Sequence, residues 1–74
     1  MQPEDLRRLL QRDACPRLRL HMANGVVFEI HDPDLVVVGD SAVELLLPPG
    51  DAGETEAIIN LLQIIWVEVL PPSA

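Results

Sequence analysis

The sequence predicts a mainly β domain of five short strands with one N-terminal α-helix, on three observations. Apolar residues alternate with polar ones over 17–22 and 26–31, the period of half-buried strands. Glycine, proline and asparagine or aspartate recur between the apolar runs, at Asn24-Gly25, Asp32-Pro33-Asp34, Gly39-Asp40 and Pro48 to Gly53. The first fourteen residues carry a helical period, with Leu6, Leu9, Leu10 and Ala14 on one face.

The helix is expected over about 3–13. Pro3 suits the first turn, and Glu4 and Asp5 stand where the positive end of the helix dipole favours acids. Glu4, Arg8 and Arg12 follow one another at i, i+4 on the opposite, solvated face. Pro16 stops the helix through its effect on Cys15. The first strand, 17–22, turns Leu18, Leu20 and Met22 one way and Arg17, Arg19 and His21 the other, which makes His21 a surface residue. A two-residue turn at Asn24-Gly25 would set Leu20 against Glu29. A three-residue loop, Ala23-Asn24-Gly25, sets Met22, Leu20 and Leu18 against Val26, Phe28 and Ile30, so the reading takes that register, with Gly25 left-handed.

The second strand is expected over 26–39, bent near Pro33, which cannot donate to a ladder. Further strands are expected at 42–48, 55–60 and 64–70, with Leu61-Leu62-Gln63 as a tight helical turn and 71–74 as a tail. An amphipathic helix is the alternative over 57–70, but four isoleucines and two valines favour strands. In the last strand Ile65, Val67 and Val69 are expected inside, and Ile64, Trp66 and Leu70 outside. Ile58 or Ile59 would extend that outer face.

Composition narrows the function. With 74 residues the chain is expected to form one domain over 1–74, of a size whose stability is marginal without a partner. The single cysteine, Cys15, excludes a disulfide framework, reads as a small buried hydrophobe and suggests a reducing, cytoplasmic setting. No secretory leader is expected from MQPEDLRRLL. The longest uncharged run, Ala57 to Val67, has 11 residues where a bilayer span needs ~20, so no membrane is expected.

All five arginines lie in residues 1–19, which carry +2, while residues 20–74 carry −9. An acidic body repels phosphate, which disfavours nucleic acid. The arginines read best as docking on an acidic surface, with polyanion contact through Arg7, Arg8 and Arg12 as the lesser use. No phosphate loop, zinc spacing or nucleophile motif is present, so neither enzymatic activity nor a cofactor is expected. His31-Asp32-Pro33-Asp34 has metal-ligand types but reads as turn chemistry, leaving no metal site.

The order of helix, five strands, bent second strand and tight turn before the last resembles the Sm/LSm (Hfq-like) family of small SH3-like barrels, as a divergent bacterial member. The likeness lies in Asn24-Gly25 with Val26, Phe28 and Ile30, in Asp40 to Leu45, and in Ile58-Ile59-Asn60 leading into Leu61 to Leu70. It implies a five-stranded barrel that assembles into rings by pairing its fourth strand with the fifth of the next copy. The family's RNA pocket does not carry over. Val43 stands where a base would stack, Glu44 where asparagine would read it, and Asn60-Leu61 where a basic residue is needed.

The expected function is therefore a non-enzymatic oligomeric scaffold or protein-interaction module, partnered by itself or another protein. Ile58, Ile59, Ile64, Trp66 and Leu70 are its expected interface. The alternative is an RNA-binding ring using the N-terminal arginines.

Overall fold

The computed structural model describes residues 1–12, 16–48 and 50–71. Ala14 and Cys15, and all of the expected tail except Pro71, lie outside the described residues. The chain runs α1 (Pro3–Leu10), β1 (Arg17–Met22), β2 (Val27–Ile30), a 3-10 turn (Pro33–Leu35), β3 (Val36–Val38), β4 (Ala42–Leu46), β5 (Glu56–Asn60), a second 3-10 turn (Leu61–Gln63) and β6 (Ile64–Leu70). The described residues are thus mainly β, six strands in two antiparallel sheets, with one N-terminal helix.

The helix starts on Pro3 with Glu4 and Asp5 in its first turn and closes when the Gln11 N–H donates to the Arg7 and Arg8 carbonyls. It is shorter than its pattern suggests because Gln11 and Arg12 are exposed and bring no packing to a further turn. Eight residues cannot hold a helix in water unaided, so α1 depends on fully buried Leu6 and half-buried Leu9 and Leu10.

The β1–β2 hairpin has the apolar-to-apolar register. Leu18 faces Ile30 and Leu20 faces Phe28, and Met22 N–H donates to Val26 O at 2.9 Å. Gly25 sits at φ 86°, which side-chain-bearing residues rarely adopt, and Asn24 Oδ1 accepts from Val26 N–H at 3.0 Å to fix the loop.

The expected long, bent strand is two strands. Asp32 accepts from Asp34 N–H through its carboxylate and from Leu35 N–H through its carbonyl, building the 3-10 turn around Pro33. A proline that cannot donate, flanked by two turn-forming aspartates, breaks the ladder where the sequence reading allowed only a bend. As a result β2 joins the sheet β2-β1-β6 and β3 joins the sheet β3-β4-β5. β4 stops at Leu46, short of 48, since Pro48 cannot extend a ladder.

Residues 57–70 are strand, turn and strand. Asn60 Oδ1 accepts from Leu62 N–H at 2.9 Å, and Leu61 N–H donates to Ser41 O at 3.0 Å. Leu61 is buried beneath that turn. The strand that follows departs from simple alternation. Val67 is level with Leu20 and Trp66 with His21, but Ile64, not Ile65, is level with Met22. One extra residue on β6 forms a bulge, which returns Ile64 to the core at 6% exposure and leaves Ile65 66% exposed. The expected places of these two isoleucines are therefore exchanged. Val69 shares a register position with buried Leu18 but stays 46% exposed, on a strand that is an edge among the described residues.

The core is apolar throughout the described residues. Leu6 from α1, Leu18 and Leu20 from β1, Val43 and Leu45 from β4, and Leu61 are its fully or almost fully buried members, and no polar side chain is buried. Each sheet supplies one inner face to this core. Among the described residues no pairing joins β5 to β6, and the strands form two three-stranded sheets.

Candidate interaction surface

With the core filled, apolar side chains remain on the outside. Ile58 on β5 is 70% exposed, Leu62 in the turn 82%, and Ile65 and Trp66 on β6 66% and 51%. Among the described residues both β5 and β6 are edge strands, with no further strand paired along one side. Of the residues expected at an interface, the structure brings Ile58 and Trp66 to the surface and leaves Leu70 half-buried. Ile59 and Ile64 belong to the core, at 4% and 6% exposure, because β5 turns Ile59 inward beside Val43 and the bulge turns Ile64 inward beside Met22.

Trp66 neither fills the core nor lies under the helix. It stacks on His21 across the β1–β6 pair, ring centroids 3.9 Å apart and planes 9° from parallel. His21 Nε2 lies 3.1 Å from Glu68 Oε1. Arg19 Nε donates to Glu29 Oε1 at 2.7 Å, with Arg19 Nη1 3.6 Å from Glu68 Oε2, and His31 Nε2 is 3.1 Å from Glu29 Oε2. The outer face of β2-β1-β6 is thus a row in which Arg19 pairs with Glu29 and Glu68, and His21 and His31 each lie within hydrogen-bond distance of one of these carboxylates. The sequence reading did not assemble it, although the hairpin register already sets Arg19 opposite Glu29; Glu68 needed the β1–β6 pairing, which no local pattern announces.

The Arg19 guanidinium holds the Glu29 carboxyl below the usual glutamate range, and Glu29 in turn holds Arg19 above its own. A carboxyl depressed on folding stabilises the protein above its unfolded value and loses that contribution as pH falls through the folded one. Glu29→Gln is accordingly expected to be less stable than wild type at neutral pH, with the gap closing on acidification below about pH 4.5. Thermal melts of both proteins between neutral and acidic pH measure this, and a gap independent of pH would contradict it. Both groups are exposed, so the effect is small.

The N-terminal arginines are divided among different partners. Arg7 Nη2 donates to Val38 O at 3.0 Å, so it ties α1 to β3, and Arg8 Nη1 lies 3.9 Å from Asp5, three residues back, instead of Glu4. Arg12 is exposed. Val43, at the position that the Sm resemblance gives to base stacking, is fully buried and presents nothing to a ligand. In His31-Asp32-Pro33-Asp34 the Asp32 carboxylate caps the turn, and among the described residues no group of three or more His, Cys, Asp or Glu side chains is placed to hold a metal.

A groove of about 250 Å³ lies between the hairpin and β5, lined by Met22, Val26, Phe28, Ile58 and Gln63 among others. No helix among the described residues is long and apolar enough to cross a membrane. The geometry defines a small two-sheet β protein whose unpaired edges carry apolar side chains. No protein-family model, curated protein or solved structure matches the chain.

Proposed function

We propose that this protein is a non-enzymatic scaffold that assembles with copies of itself by adding β5 of one copy to β6 of the next. The observation that carries the reading is that, of the four edge strands among the described residues, β5 and β6 each bear an isoleucine about two-thirds exposed: Ile58 at 70% and Ile65 at 66%. Strand addition satisfies the edge backbone groups and removes these side chains from water together. Trp66 and half-buried Leu70 flank the same β6 edge.

The barrel reading is part of the proposal. β2 and β3 follow one another across the Pro33 turn and lie in different sheets, as the two halves of one bent strand would in a small Sm-like barrel. A cytoplasmic setting goes with it, on the single cysteine.

Salt tests this proposal against an RNA-binding ring. Copies carrying −7 each repel, and apolar edges gain from screening, so raising salt from about 50 to about 500 mM is expected to preserve or increase the assembled fraction on a sizing column. Phosphate contacts would weaken over the same range. A short RNA oligonucleotide is expected to show no mobility shift at the lower salt, since Arg7 is already bonded to Val38 O. Dissociation by salt, or a salt-sensitive RNA complex, would contradict the proposal.

A further inference from the structure

The outer face of β3-β4-β5 differs in kind from that of β2-β1-β6. Val37, Glu44 and Ile58 are direct cross-strand partners and form one row over three strands. Val37 and Ile58 are 62% and 70% exposed, and half-buried Glu44 stands between them. With Gly39 and Ala42 they line a groove of about 250 Å³. Glu44 has no hydrogen bond or ion pair among the described residues. Glu29 and Glu68, on the other sheet, both have cationic partners. Between Pro33 and Gln63 the chain holds six acids (Asp34, Asp40, Glu44, Asp51, Glu54, Glu56) and neither lysine, arginine nor histidine.

A lone carboxylate set between two exposed β-branched side chains matches a long cationic side chain. The methylenes of an arginine or lysine would cover Val37 and Ile58 while its charged head meets Glu44. We propose that this face docks a basic, apolar segment of another protein, with one arginine or lysine seated on Glu44. A second copy is a poor occupant. Three of the chain's own arginines are held, Arg19 by Glu29, Arg7 by Val38 O and Arg17 by Pro71 O. The acidity of this stretch turns away phosphate-bearing partners. Glu44 and Val37 stand one and two strands in from the β5 edge, so only Ile58 is shared with the proposed strand-edge assembly.

Titration of the nitrogen-15-labelled protein with the peptide acetyl-Arg-Val-Arg-Val-Arg-amide tests this, with the glutamate-for-arginine peptide as control. The expected result is a set of amide shifts centred on Val37, Glu44 and Ile58, absent with the control. Glu44→Gln is expected to weaken binding by about fivefold. Val37→Thr removes the apolar wall and keeps a strand-forming residue, so it is expected to weaken binding while the spectrum stays that of the folded protein. Absence of shifts, shifts spread over the acidic loops or centred on Glu29 and Glu68, or unchanged affinity in Glu44→Gln would each overturn the proposal.

Discussion

Leu20→Ala is expected to lower the stability of this protein by about 3 kcal/mol, the middle of the range for a leucine removed from a close-packed core. Leu20 is fully buried on the central strand of its sheet, level with Phe28 on one side and Val67 on the other. The cavity it leaves is walled by two antiparallel neighbours whose ladders resist collapse. A domain of 74 residues has only ~4–11 kcal/mol of stability to lose, so the variant sits close to its unfolding threshold. Urea denaturation followed by Trp66 fluorescence measures the shift. A loss below about 1 kcal/mol would mean that the site relaxes and that the inner face of β1 is not the core's centre.

Trp66→Asp is expected to have the largest effect on assembly and a small one on folding. The ring is 51% exposed and rests on His21, so removing it costs the monomer a surface stack and little else. At a β6 edge joined to a second copy, the same change buries a carboxylate beside Glu68 in an interface between two acidic chains. The expected outcome is a folded 8.2 kDa species where wild type is larger, read by light scattering behind a sizing column. Ile58→Lys places a charge at the opposite edge and is expected to give the same result. If both variants kept the wild-type mass, the β5 and β6 edges would not be the contact.

The parts of this account that local chemistry determines were readable from the residues. The hairpin register followed from matching Leu18, Leu20 and Met22 to Ile30, Phe28 and Val26, because a one-residue slip would have mixed buried with exposed positions. The turn at Leu61 to Gln63 followed from three residues being too few for anything longer. What escaped was set by pairing between distant segments. The β6 bulge depends on how β1 and β6 meet, and nothing within Ile64 to Leu70 reveals an extra residue, so strict alternation gave Ile64 and Ile65 each other's places. Ile59 and Ile58 were indistinguishable as adjacent isoleucines until the β4 register turned Ile59 inward. The Arg19, Glu29, Glu68, His21 and Trp66 row spans three strands from two ends of the chain, which explains why no sequence window contained it. The apolar surplus of the outer surface was legible in outline, through Ile58 and Trp66, and incomplete in detail, through Ile65 and Leu62.

In the proposed assembly the β5 and β6 edges join copies of this chain. Solution mass of the wild-type protein by light scattering, over a range of concentrations, tests it most directly. A discrete species at a multiple of 8.2 kDa that persists on dilution into the low micromolar range is expected. A species that stays at 8.2 kDa at every concentration would contradict it.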